Sequence, residues 1–255
     1  MNLSLGHKVF FVLLTIITIL TILNIWSFMA LDNYNNQQTG LFFKKTNFNT
    51  EKNIPSIFSG SLHFIAAIIL AAIGLSKLRI ENKKVFWFCL SFLFLFVGLD
   101  EILRIHEKLN RYLSNSWETS GIFYYTWVIP YGVALILIAL VCFKSIFALP
   151  KQTIRDFILS AFIFLSGALG MEMFTGWYIS FQNLEGLYIE KMNSIFVLYT
   201  VEELLEMLGI SYFIYSLLRF ISQYRAIQQP IFNIIIFKDT HERITKCYRK
   251  GMGKP

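Results

Sequence analysis

The chain contains six apolar runs that are too long for the core of a soluble domain. They cover residues 8–31, 55–78, 84–108, 122–147, 157–179 and 191–218. A helix needs about 20 apolar residues to cross a bilayer, and a backbone in lipid must satisfy its hydrogen bonds within its own segment. The sequence therefore predicts an all-α fold, a polytopic membrane bundle of six transmembrane helices in residues 1–218, with a basic tail in residues 219–255.

The net charge of +7 follows membrane topology and not the pattern of a nucleic-acid-binding surface. With the N-terminus inside, 16 of the 23 Lys and Arg residues fall on the inner side, many of them in the tail. This bias predicts that both termini are cytoplasmic and that the protein lies in a bacterial cytoplasmic membrane. The tail also carries a short apolar run, residues 231–237, which we expect to lie on anionic lipids of the inner leaflet.

The third run ends in an ionisable segment that lipid cannot solvate. Asp100, Glu101, Arg104, His106 and Glu107 all lie within eight residues, and a charged group at a helix centre costs about 2.5–3.5 kcal/mol. In a continuous helix, Asp100, Arg104 and Glu107 would share one face. One interpretation is a salt-bridge ladder along that face, and the other is a functional site.

The sixth run carries a stripe of carboxyls without a basic partner. Tyr199, Glu202, Glu203 and Glu206 fall in one sector of a helix, and no Lys or Arg lies between Lys191 and Arg219. Burial and like charges both disfavour ionised carboxyls. At least one of the three glutamates is therefore expected to hold a proton or to bind a cation.

Two further polar residues lie at a similar predicted depth. Glu172 shares a narrow face of the fifth helix with Ala168, Thr175 and Gly176, which directs it into the bundle. His63 follows small residues in the second helix, where the alternative is a hydrogen-bonded packing role. We expect these side chains to converge on one site in the outer half of the bundle. The candidate site residues are His63, Asp100, Glu101, His106, Glu107, Glu172, Glu202, Glu203 and Glu206.

The two acidic helices resemble each other. Residues 99–105 and 201–207 are similar at six of seven positions, and they occupy the third and sixth helices. Two halves of three helices would be inverted relative to each other in the membrane. The sequence thus predicts a 3+3 inverted repeat, an arrangement typical of secondary transporters.

The acidic motifs bear a resemblance to known groups of proteins. The Asp-Glu-x4-His-Glu segment beginning at Asp100 and the Glu-Glu-x-x-Glu-Met segment beginning at Glu202 are similar to uncharacterised bacterial multi-pass membrane proteins, which implies no activity. The Glu202–Glu203 pair also resembles that of intramembrane CAAX-type proteases, but Met207 stands where that family has Arg. Glu203 and Glu206 are similar in spacing to the Glu-x-x-His pairs of di-iron bundles, with Glu in the place of His.

Three functions remain open from the sequence. Carboxylates alone suit a transporter coupled to protons or cations. Carboxylates with His63 and His106 suit a divalent metal such as Zn, Mn or Fe, and hence a metal-dependent membrane enzyme acting on a lipid or envelope substrate. The third is a structural or assembly protein whose acidic helices bind a partner.

Overall fold

The computed structural model describes residues 4–34, 37–50, 52–76, 84–184 and 192–227, and within these ranges every regular element is a helix. The α-helices are α1 Leu5–Tyr34, α2 Gln37–Thr46, α3 Ile54–Leu75, α4 Lys84–Leu103, α5 Ile105–Ser114, α6 Val128–Phe147, α7 Lys151–Leu165, α8 Glu172–Phe181 and α9 Asn193–Ile227. A 3₁₀ turn at Gly121–Phe123 precedes α6, and a π-helical segment at Ser166–Met171 joins α7 to α8.

Six helical segments are long and apolar enough to cross a membrane. They are Leu5–Ala30, Ile54–Leu75, Lys84–Leu103, Val128–Phe147, Lys151–Phe181 and Asn193–Gln223. The predicted all-α fold with six candidate spans is confirmed. The chain divides into two units, Met1–Leu217 and Leu218–Pro255. The predicted interfacial segment of the tail lies outside the described residues.

The third span is shorter than predicted because the helix breaks at Arg104. That residue adopts the left-handed conformation, with φ 58° and ψ 48°, which costs a non-glycine residue about 1–3 kcal/mol. The chain then continues as α5, a separate polar helix. The prediction of one helix over 84–108 is therefore wrong, as is the stacking of Asp100, Arg104 and Glu107 on one continuous face.

Buried asparagines fix the connection between the first two spans. Asn24 is fully buried, and its amide donates to Thr200 Oγ1 over 2.9 Å while its oxygen accepts from the Phe48 backbone over 3.1 Å. Asn53 forms a capping box with Ser56 at the start of α3, which satisfies N–H groups that a helix leaves free. The connection is thus partly helical and is anchored to α9 next to its acidic stripe.

Glycines bring the fifth and sixth spans into backbone contact. A Cβ atom at Gly167 would lie 2.7 Å from the carbonyl oxygen of Glu202, and one at Gly209 would lie 2.5 Å from the backbone nitrogen of Phe164. Only glycine fits at such a distance, as is common where membrane helices cross closely. The crossing places Glu172, which begins α8, beside the carboxyls of α9.

A layer of aromatic rings lies toward the other end of these helices. Phe213 stacks on Phe94 with ring centroids 4.6 Å apart, and Phe157 packs 4.9 Å from Phe213. Beside this layer, the Tyr212 hydroxyl lies 3.5 Å from Oδ1 of the buried Asp156. Asp156 therefore lies at the level of this layer, beside Tyr212 of α9 and away from Glu206, which precedes Tyr212 by six residues in that helix.

Candidate functional site

Asp100 is held at the point where the third span breaks. It is 8% exposed, and its carboxylate accepts from the His106 backbone N–H over 2.8 Å and lies 3.2 Å from His106 Nδ1. The first N–H groups of a helix lack partners within that helix and favour a negative charge nearby. The break at Arg104 therefore returns the start of α5 to Asp100 and fixes His106 beside it.

Glu107 belongs to the surface of the site. The Arg104 guanidinium donates to the Glu107 carboxylate, and both side chains are more than a third exposed. Of the predicted salt-bridge ladder, the pair between Arg104 and Glu107 is present. The Asp100 carboxylate instead contacts His106. An exposed pair of this kind contributes little to stability, typically below about 1 kcal/mol.

Trp127 connects His106 to Glu172. The imidazole of His106 packs against the indole of Trp127 with centroids 5.1 Å apart. The indole Nε1 donates to Glu172 Oε1 over 3.0 Å. Thr126 fixes this segment to α5, because its buried hydroxyl donates to Asn110 Oδ1 over 2.8 Å. Trp127 is a site residue that the sequence did not reveal, because the spacing of the acidic residues does not point to it.

The carboxyls of Glu172 and Glu202 interact electrostatically between α8 and α9, and Glu206 and Glu203 are other charged groups that act on Glu202. Glu202 is 8% exposed, and its Oε2 is buried without a hydrogen-bond partner among the described residues. Two ionised carboxylates have only acceptors and repel each other, so a proton or a cation held by this pair is favoured.

Glu206 links this pair to the carboxyls of the third span. It interacts electrostatically with Glu101, Glu172, Asp100 and His106, and Glu101 interacts with His106 and Asp100. Glu101, Glu172, Glu203 and Glu206 are partly exposed, whereas Asp100 and Glu202 are buried. The structure therefore brings together Asp100, Glu101, His106, Glu172, Glu202, Glu203 and Glu206, which we call the carboxyl cluster.

His63 lies between the carboxyl cluster and the aromatic layer. It is buried, its Nδ1 donates to the Ser59 carbonyl over 3.0 Å, and its ring packs against Phe94 and Phe164. The opposite ring nitrogen, Nε2, is buried without a hydrogen-bond partner among the described residues. Asp100 is its nearest charged influence. His63 therefore packs as an aromatic ring and also places a polar nitrogen, Nε2, inside the bundle.

Two tyrosine hydroxyls lie near the Glu172–Glu202 pair, and a buried threonine lies in the same helix as Glu172. The hydroxyls of Tyr125 and Tyr199 lie 3.4 Å apart, and Tyr125 interacts with both carboxyls. Burial, followed by its neighbours Tyr199 and Glu172, raises the pKa of Tyr125 well above its usual range, so this hydroxyl stays protonated. Thr175 is fully buried, and its hydroxyl has no partner among the described residues. The sequence pointed to Thr175 and Tyr199 because they share a helix face with Glu172 and Glu202, respectively. No pattern in the sequence pointed to Tyr125.

A preformed metal cage is not evident at the carboxyl cluster. Across the described part of the chain, no three His, Cys, Asp or Glu side chains are grouped as ligands of one metal ion. The predicted Zn, Mn or Fe ion therefore gains no support from this geometry. The ionisable groups of the cluster are mostly carboxyls. Carboxyl oxygens bind protons and hard cations.

Residues 8–220 match the family described as Domain of unknown function (DUF8692), and the chain belongs to that family. No curated protein matches the chain. No solved structure matches it either.

Proposed function

We propose that this DUF8692 protein is a membrane transporter coupled to protons or cations, and that Glu172 and Glu202 carry the coupling ion. The proposal is supported by Glu202 Oε2, which is buried and unpartnered among the described residues, and by the electrostatic interaction of Glu202 with Glu172 of the neighbouring span. An interaction of this kind changes when its proton or cation leaves, because two bare carboxylates repel each other.

The surroundings of the pair also favour a moving site. The π-helical segment Ser166–Met171 ends directly before Glu172, and π segments inside helices occur frequently at functional sites. The carboxyls around Glu206 are partly exposed, whereas the rings around Phe213 pack against one another in the part of the bundle near Asp156. Alternating access requires a site that reaches each side of the membrane in turn, with a packed layer that can separate it from the other side.

The orientation of the protein is part of the proposal. If all six candidate spans cross the membrane, the two ends of the helical region lie on the same side, and the excess of basic residues predicts that this side is the cytoplasm. In this orientation the carboxyl cluster is nearer the outer surface, and the aromatic layer is nearer the cytoplasm.

A metal-dependent membrane enzyme is the second candidate, and His63 is the observation that favours it. A neutral imidazole nitrogen is a common ligand of borderline divalent metals, and Nε2 of His63 is buried without a hydrogen-bond partner among the described residues. Metal analysis of purified protein would decide between the candidates. Stoichiometric Zn, Mn or Fe that is lost in both His63→Ala and Glu203→Gln would favour the enzyme.

The transporter proposal is tested with the full chain reconstituted into liposomes. An imposed pH gradient should drive proton flux in the wild type, and Glu202→Gln and Glu172→Gln should each abolish it, because Gln keeps the shape of a neutral acid but cannot release a proton. Glu118→Gln is the matched control, since Glu118 is exposed outside the cluster. Flux that is equal in all four proteins would contradict the proposal.

A further inference from the structure

His63 presents a hydrogen-bond acceptor to the inside of the bundle. The residue is 1% exposed, and its Nδ1 lies 3.0 Å from the Ser59 carbonyl oxygen. A carbonyl oxygen can only accept, so Nδ1 carries the proton, and in a neutral ring Nε2 then carries the lone pair. Nε2 is buried without a hydrogen-bond partner among the described residues. A buried acceptor of this kind costs about 1–3 kcal/mol unless a donor reaches it.

A second polar atom without a partner lies on the same face of α3. Ser59 precedes His63 by one helical turn and is 1% exposed, and its hydroxyl has no hydrogen-bond partner within the described part of the chain. The contact between His63 Nδ1 and the Ser59 carbonyl holds the two residues together. A hydroxyl group can both donate and accept. One small molecule can therefore bond to the Ser59 hydroxyl and donate to Nε2 of His63.

The packing around His63 leaves room only for a small ligand. The backbone of α4 lies directly against this residue, because a Cβ atom at Gly98 would lie 3.1 Å from the His63 Cβ. The rings of Phe94 and Phe164 pack on the imidazole with centroids 6.2 and 5.4 Å from its own. Neither ring has an N–H or O–H group to donate. The ligand must therefore be small and must bring its own donor, and water meets both conditions.

We propose that Ser59 and His63 bind one buried water molecule, which donates a hydrogen bond to Nε2 of His63. Proteins bury ordered waters where polar groups lack other partners. A metal ion at the same nitrogen needs further ligands, and among the described residues no three His, Cys, Asp or Glu side chains are grouped to supply them. The proposal goes beyond the proposed function and does not depend on it.

This water connects His63 to the carboxyl cluster. A Cβ atom at Gly60, the neighbour of Ser59, would lie 3.0 Å from Cγ1 of Ile102, and Ile102 directly follows Glu101 in α4. Glu101 also interacts with Ser59. The polar interior of the bundle thus continues from Glu101 through Ser59 and the water to Nε2 of His63.

Solid-state NMR of the full-length, metal-free protein in lipid tests the proposal, because the chain has only four histidines. In protein labelled with ¹⁵N-histidine, the His63 signals are those that disappear in His63→Gln. The wild type should show a proton on Nδ1 of His63, none on Nε2, and magnetisation transfer from water to Nε2.

Ser59→Ala removes the second partner of the water and should lose most of this transfer. Ser216→Ala is the matched control and should keep it, because this variant removes a buried serine hydroxyl that is bonded to the Tyr212 carbonyl. The wild-type spectra decide the question by themselves if Ser59→Ala does not fold.

Three results would overturn the proposal. A proton on Nε2 of His63 would make this nitrogen a donor, so that it could not accept from water. Absence of transfer from water in the wild type would show that no water reaches Nε2. Equal transfer in the wild type and in Ser59→Ala would show that Ser59 does not hold the water.

Discussion

The Trp127 indole donates a hydrogen bond to Glu172 Oε1 over 3.0 Å, which ties the start of the fourth span to the carboxyl pair of the fifth and sixth. Trp127→Phe keeps the ring but removes the donor. A hydrogen bond to a charged group contributes about 1.5–3 kcal/mol, so we expect proton flux to fall about tenfold with little loss of folded protein. The measurement is flux in liposomes. Trp117→Phe, an exposed tryptophan in the same connection, should leave flux unchanged.

The left-handed Arg104 predicts an unusual preference for glycine. Arg104→Gly and Arg104→Ala both lose the contact with Glu107, so their difference isolates the backbone. At positive φ, alanine is strained and glycine is not. The alanine variant should therefore unfold at a lower temperature than the glycine variant, by about 1 kcal/mol of stability. Equal thermal stability of the two variants would mean that Arg104 is not left-handed in the folded protein.

Two glycines of the π-helical segment should respond differently to substitution. A Cβ at Gly167 would lie 2.7 Å from the Glu202 carbonyl, whereas the nearest atom to a Cβ at Gly170 is 3.7 Å away. Gly167→Ala should destabilise the protein by about 1–3 kcal/mol, as overpacking does, and should reduce flux. Gly170→Ala should be close to neutral. Thermal unfolding in detergent measures both, and a reversed order would contradict the close crossing of the fifth and sixth spans.

The orientation is tested by cysteine labelling from outside the cell. In a chain whose three native cysteines are replaced, a cysteine at Asn115 should react with an impermeant maleimide, because this residue is expected on the outer surface. A cysteine at Gln152 should react only after permeabilisation. Labelling of residue 152 in intact cells would show that the predicted orientation is wrong.

The six spans could be predicted from the sequence because they follow from hydropathy and segment length. Sequence reasoning missed the break at Arg104, since arginine has no preference for positive φ and neighbouring residues continue the apolar pattern. Consequently, it missed that Asp100 binds the start of α5 and that His106 faces Trp127. The narrow face formed by Ala168, Thr175 and Gly176 indicated that Glu172 points into the bundle, but a π segment depends on tertiary contacts that a single sequence does not display.

The two acidic segments of the predicted inverted repeat differ in backbone structure. Arg104 and Glu206 occupy equivalent positions in the two similar segments, but the helix breaks at Arg104 and continues through Glu206. The inverted repeat stays a prediction. After the break, the first segment has a histidine, His106, beside its carboxyl at Asp100.

Infrared difference spectroscopy reports directly whether Glu172 and Glu202 hold an exchangeable proton. Metal-free wild-type protein at pH 7 should show a protonated carboxyl band that is reduced in Glu202→Gln. Raising the pH should remove this part of the band from the wild type as the pair releases its proton. The absence of a carboxyl band at pH 7 in the metal-free wild type would contradict the account.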